Sequence, residues 1–191
     1  VYANLAAKVL GKDKTVPVTA GTVPGVGTGS VQPLLANVKT DLSKVKLTDL
    51  TGPQLEALMG ERVMDWALAS HDTKAANFLL LSDGSVVGID KEQSFKFIGK
   101  DSLDIGYKPN PTPTLYSQLF DQYRKKKLDL PIGAMWPAIQ KVEALTDDEW
   151  VAAAAPYLLA LPDSEANTKR EAILARKKSL RKDLEGFLTG L

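Results

Sequence analysis

The 191-residue chain has no cysteine, a single histidine (His71) and almost no charge bias, since 24 Lys and Arg against 23 Asp and Glu leave +1. Each absence removes a class of function. Without cysteine there is no disulfide framework and no thiolate chemistry, and the composition fits a reducing compartment. A lone histidine cannot build a histidine metal site, so His71 is expected to pack or hydrogen-bond beside its loop. Balanced charge gives no global pull toward nucleic acid or an anionic membrane. No apolar run approaches the ~20 residues of a transmembrane helix, and no secretory leader is visible. These features point to a soluble, cytoplasmic protein with no nucleic-acid partner. With 44% hydrophobic residues, the chain can bury a substantial core as one domain or one large lobe with appendages.

Helical spacing begins at once, with Leu5, Val9 and Leu10 on one side of Val1 to Leu10. A strand is expected at Val16-Pro17-Val18, then a flexible Gly-rich link from Gly21 to Gly29. A second strand, Ser30-Val31-Gln32, runs into Pro33-Leu34-Leu35, and residues 36 to 50 read as a polar connection. The strongest helix starts at Thr51, where Gln54 completes a capping box. Leu55, Leu58, Met59, Val63, Trp66 and Ala67 recur at helical spacing up to an end at Ser70. Two apolar runs, Phe78-Leu79-Leu80-Leu81 and Val86-Val87-Gly88-Ile89, flank the turn Ser82-Asp83-Gly84-Ser85 and predict a hairpin. Later helices are expected at about Thr114 to Lys127, Thr146 to Leu159 and Ser164 to Leu188, after a break at Pro109, Pro111 and Pro113. Thr146 and Glu149 form a second capping box. Trp136, Trp150 and Tyr157 lie among helical apolar residues and are expected in the core. The basic runs Lys125-Lys126-Lys127, Arg176-Lys177-Lys178 and Arg181-Lys182 alternate with acids and read as solvated helix faces. The fold class is α+β.

Between the strong helix and the hairpin stands His71-Asp72-Thr73-Lys74-Ala75-Ala76-Asn77, and Asp90 follows the second strand. These residue types at this spacing suit phosphoryl transfer, which takes positioning and charge neutralisation more than covalent chemistry. An Asp orients the attacking hydroxyl, a Lys two residues on offsets phosphate charge, and an Asn with a second Asp supplies the few oxygen ligands that Mg2+ takes beside phosphates.

The motif resembles the Asp-x-Lys-x-x-Asn catalytic loop of the protein-kinase-like superfamily. The thirteen-residue step from Asn77 to Asp90 is similar to that family's distance to its magnesium-binding Asp. The surroundings are closer to the atypical branch: type II phosphatidylinositol 4-kinases, related phosphatidylinositol kinases and HipA-like kinases. Met64-Asp65-Trp66 resembles the aspartate-aromatic pair of the preceding helix, and Ile89-Asp90-Lys91-Glu92-Gln93-Ser94-Phe95 resembles the setting of the metal Asp. Gly29-Ser30-Val31-Gln32 is similar to the strand entering the hinge. His71 stands where protein kinases usually have Arg, and Lys91-Glu92 replace their Phe-Gly; the atypical branch also lacks that pair.

The resemblance implies ATP and Mg2+ as cofactors, Asp72 as catalytic base, Lys74 as the cation at the phosphate, and Asn77 and Asp90 as metal ligands. It implies that Gln32, Pro33, Leu34 and Leu35 line the adenine pocket. Residues 1–38 would be a partial N-lobe with the hinge, and residues 39–191 a mainly helical, kinase-like C-lobe with C-terminal helices. Gly25-Val26-Gly27-Thr28-Gly29 is not a phosphate loop: it lacks Gly-Lys-Ser/Thr, and Lys39 is too close to Asp72 to be the nucleotide-anchoring Lys. An upstream segment or a partner chain would then complete the N-lobe. The expected acceptor is a hydroxyl of a protein, or secondly of a lipid or small molecule. The alternatives are an inactive kinase-like binding or assembly module, and a kinase-like fold with altered transfer such as adenylylation.

Overall fold

The computed structural model describes residues 1–25, 27–104 and 114–191, so the break expected at Pro109, Pro111 and Pro113 lies outside the described residues. In chain order the elements are α1 (Tyr2–Val9), β1 (Thr19–Val23), β2 (Gly27–Val31), β3 (Val38–Asp41), α2 (Gly52–Ala67), β4 (Phe78–Leu81), β5 (Val86–Gly88), α3 (Leu115–Arg124), α4 (Met135–Ala144), α5 (Asp147–Leu158) and α6 (Asp163–Thr189). The architecture is α+β, with two small antiparallel sheets.

Helix α2 organises the rest. The Thr51 N–H donates to the Gln54 side chain at 2.9 Å, and Pro53 sits in the first turn, where its missing N–H would have no helical partner anyway. From Leu58 to His71 every residue is buried, so the C-terminal part of α2 is enclosed on all sides and not along one stripe. It packs against α4, α6 and β5. Ala69 adopts a left-handed backbone (φ 47°) and the Ser70 N–H returns to the Asp65 carbonyl at 2.8 Å. That ends the helix and starts the loop at His71.

The other helices each turn one face inward. Tyr2, Leu5, Ala6 and Val9 do so from α1, Leu115, Tyr116, Leu119 and Phe120 from α3, and Met135, Ala138, Ile139 and Val142 from α4. Helix α5 starts at its capping box, with the Thr146 N–H on Glu149 at 2.8 Å and the Glu149 N–H on the Thr146 hydroxyl at 3.1 Å. It buries Trp150 completely; Trp136 and Tyr157 are partly buried against the same core.

Strands β3, β4 and β5 form one sheet in that order, with Phe78 opposite Gly88, Leu79 opposite Val87 and Leu80 opposite Val86. Alternation sorts the two faces. Phe78, Leu80 and Val86 join the helical core, while Leu79, Leu81 and Val87 meet Val16, Leu35 and Ile89 on the far side. A strand buried on both faces reads as an unbroken apolar run, as Phe78 to Leu81 does.

Four expectations are corrected. Val16 to Val18 is not a strand; Val16 is a buried contact of the sheet's far face, and strand β1 begins at Thr19. The Gly21 to Gly29 link is largely a hairpin, β1 pairing with β2 from Thr19 opposite Val31 to Val23 opposite Gly27, with the turn residue Gly25 at φ 77°. The connection over residues 36 to 50 contains β3, which pairs with β4 along its edge. Residues 135–144 form a helix that was not expected.

Candidate functional site

The loop leaving α2 is tied down by its backbone. The Thr73 carbonyl accepts from the Leu115 N–H at 2.8 Å, and the Lys74 carbonyl accepts from the Asn77 N–H at 2.9 Å, closing a tight turn over Ala75–Asn77. Asn77, only 3% exposed, works in two directions. Its side-chain N–H donates to the Asp72 carbonyl at 2.8 Å, and its own carbonyl accepts the Ile89 N–H at 2.8 Å. One residue therefore joins the backbone of Asp72 to the residue preceding Asp90. The Lys74 ammonium lies 3.2 Å from the Asp72 carboxylate, both side chains reaching solvent.

Asp90 lines a cleft of about 320 Å³ together with Ser30 and Gln32 of the β1–β2 side and Phe95 and Tyr157 opposite. Asp72, Lys74 and Asn77 are not part of that lining. Of the four residues expected at an adenine pocket, Gln32 lines the cleft. Pro33 is exposed and Leu34 is 95% exposed, while Leu35 packs on the far face of the sheet.

The backbone here takes an uncommon form. Asp90 (φ 56°) and Phe95 (φ 66°) share with Ala69 a left-handed conformation that is uncommon outside glycine. Such residues persist where their surroundings over-determine them. For Phe95 the restraint is its N–H on the Leu68 carbonyl, at 2.7 Å.

Asn77 and Asp90 carry oxygen atoms of the type Mg2+ takes beside phosphate and water, although Asn77 does not share the cleft lining with Asp90. Asn77 spends its N–H on Asp72, which leaves its side-chain carbonyl oxygen as the atom for a cation, and Asp90 offers a carboxylate at the cleft. Among the described residues there is no group of three or more His, Cys, Asp or Glu side chains that would form an all-protein cage.

Glu61 and Lys91, which also line the cleft, belong to a buried charged cluster. The Lys91 ammonium, on a side chain 7% exposed, sits 2.8 and 3.0 Å from the two oxygens of Asp65 and 3.0 Å from Glu61. The Tyr116 hydroxyl donates to Asp65 at 2.8 Å. Lys91 also faces the Phe78 ring, 4.6 Å from its centroid. Burial alone would lower the Lys91 pKa, but the Asp65 and Glu61 charges outweigh it and push it up to about 12. Burial raises Glu61 above the usual carboxyl value, against the pull of Lys91. Gly88 leaves room for the cluster: a Cβ on it would fall 1.7 Å from a Glu61 oxygen and displace that carboxylate.

A second network braces the other side of the loop. His71 Nε2 lies 2.7 Å from Asp101, whose other oxygen accepts from Arg176 at 2.5 Å. Arg176 also donates to the Trp66 carbonyl at 2.7 Å and stacks 3.6 Å above the Trp66 ring. His71 meets Phe97 edge-on at 5.5 Å. The basic run at Arg176 is thus not a solvated face throughout, since Arg176 and Lys177 are buried and paired with Asp101 and Asp147. Sequence reading missed Glu61, Lys91, Asp101 and Arg176 as members of the site. For Arg176 the signal was present, because it falls on the face of Ile173, Leu180 and Leu184.

Arg176→Lys is expected to lower stability by about 2 kcal/mol, because an ammonium cannot serve Asp101, the Trp66 carbonyl and the ring together. A urea unfolding curve measures this, and an unchanged midpoint would remove Arg176 from the bracing role. Burial would raise Asp101, but the hydrogen bonds from His71 and Arg176 and the Arg176 charge hold it below the usual value. Its contribution is therefore present above the unfolded carboxyl value, about pH 4, and is lost as pH falls through the lower folded value. Urea midpoints taken across that range should fall in the parent more steeply than in Asp101→Asn.

Comparison of the chain with protein-family models, with curated proteins and with solved structures finds no significant match.

Proposed function

We propose that the chain is a kinase-like phosphotransferase of the atypical kind, moving a phosphoryl group from Mg2+-ATP to a hydroxyl of a protein, or secondly of a lipid or small molecule. The observation that carries the reading is the double tie of Asn77, to the Asp72 carbonyl and to the Ile89 N–H. Through it a loop carboxylate, a loop lysine and a hairpin carboxylate belong to one braced unit. In this reading Asp72 orients the acceptor hydroxyl and takes its proton, and Lys74 screens the moving phosphate. Asn77 and Asp90 hold the metal, which when bound neutralises phosphate charge. Gln32 and the apolar walls of the cleft beside Asp90 take the nucleotide, an upstream segment or a partner completing the cover.

The test is incubation of the chain with ATP and Mg2+ followed by intact mass and thermal unfolding. A phosphate adduct and a raised midpoint are expected, since a ligand at a hundred times its Kd adds about 2.7 kcal/mol to the folded state. Asp90→Ala should lose both. An AMP adduct would redirect the reading to adenylylation, and absence of both adduct and stabilisation would favour a binding module.

A further inference from the structure

We infer that Lys91, clamped between Glu61 and Asp65, is a positioning residue that sets the backbone of Asp90 and so aims its carboxylate into the cleft. This rests on the phosphotransfer reading for what the carboxylate then does.

Four observations converge on it. Asp90 has φ 56°, a left-handed conformation that Asp enters more readily than most side chains but that is still uncommon outside glycine, so its neighbours decide whether it is held there. On its N-terminal side the Ile89 N–H is fixed to the Asn77 carbonyl at 2.8 Å. On its C-terminal side Lys91, which lines the cleft together with Glu61, is held to α2, with Asp65 at 2.8 and 3.0 Å and Glu61 at 3.0 Å. Gly88, two residues before Asp90, lies so close to Glu61 and Lys91 that a side chain there would push them out of their present pairing. Asp90 is thus bracketed, and every ionic bracket leads to two carboxylates one helical turn apart on α2. The three side chains are individually poor choices for a core. An apolar trio would fill the same space with no desolvation penalty, but it would exert no directional pull on residue 91. A residue that holds a ligand from behind is expected to tune metal affinity without touching the metal.

Lys91→Met alone strands two buried carboxylates and threatens the fold. The experiment therefore compares the parent chain with the neutral set Glu61→Gln, Asp65→Asn, Lys91→Met, both labelled with 13C and 15N. The Asp90 Cα and Cβ chemical shifts report its backbone conformation, and Mn2+ alone serves as a paramagnetic probe. The parent is expected to show left-handed shifts at Asp90 and Mn2+ broadening at Asn77 and Asp90. In the neutral set, with the β4–β5 amide shifts unchanged, the Asp90 shifts should leave the left-handed range. Broadening there should need about ten- to a hundredfold more Mn2+. Unchanged Asp90 shifts and an unchanged Mn2+ response in the neutral set would overturn the inference, leaving the cluster a matter of stability only. If the parent itself gives no broadening at Asn77 and Asp90, the metal reading fails, and the Asp90 shifts alone still decide whether Lys91 sets that backbone.

Discussion

Lys91→Met is expected to cost about 3–5 kcal/mol of folding stability, because it removes a cation in direct contact with two carboxylates inside the fold. Asp65 is fully buried and Glu61 is 5% exposed, so water cannot replace the ammonium. Methionine keeps most of the volume of the lysine stem beside the Tyr2 and Phe78 rings, so the loss is mainly one of charge. Against a marginal total this is a large fraction, and it should shift the urea midpoint by roughly 2 M. The pH dependence gives the mechanism a signature. In the variant the stranded Glu61, already raised by burial, can take up a proton, so part of the loss should return as pH falls. In the parent, Lys91 is raised from 10.5 to about 12, so its contribution is complete below the unfolded value and disappears as pH climbs through the folded one. An unfolding midpoint that ignores the substitution at neutral pH would mean the cluster is solvated, contrary to its burial.

What the sequence revealed and what it hid divide along the reach of the interactions. The capping boxes at Thr51 and Thr146 and the hairpin turn are made by residues three or four apart, and each sits where local chemistry placed it. Strand β3 was not legible because Val38-Lys39-Thr40-Asp41 is short and largely polar; it is a strand because β4 offers it an edge. The β1–β2 hairpin was obscured by its glycines, which weaken strand propensity one residue at a time. Helix α4 carries the spacing Met135, Ala138, Ile139, Val142, and Pro137 falls in its first turn, where proline does no harm. The buried charges were hidden for another reason. Glu61 and Asp65 keep helical phase with Leu58, and Arg176 keeps it with Ile173 and Leu180, so position says core while chemistry says surface. Only partners that chain folding brings from 26 or 75 residues away reconcile the two. The pattern was readable as conflict, and its resolution is tertiary.

The same logic separates stability from chemistry at the loop: on the proposed phosphotransfer reading, Asp72→Asn is expected to lower phosphoryl transfer by about 10²–10⁴-fold while the fold is almost untouched. The Asp72 side chain is 18% exposed and its ionic partner among the described residues, Lys74, is 46% exposed, so the pair contributes at most about 1 kcal/mol. The Asn77 side chain bonds the Asp72 backbone carbonyl, not the carboxylate, so the substitution leaves that brace in place. Stabilisation by ATP and Mg2+ should therefore survive in Asp72→Asn and vanish in Asp90→Ala, although both lose transfer. Asparagine keeps the shape and can still accept a hydrogen bond, but it cannot take the proton of the attacking hydroxyl at neutral pH. Initial rates of phosphate incorporation, taken alongside thermal unfolding with and without Mg2+-ATP, separate the two variants. A rate within tenfold of the parent for Asp72→Asn would deny Asp72 the role of base. Loss of nucleotide stabilisation in that variant would instead make Asp72 part of the binding site.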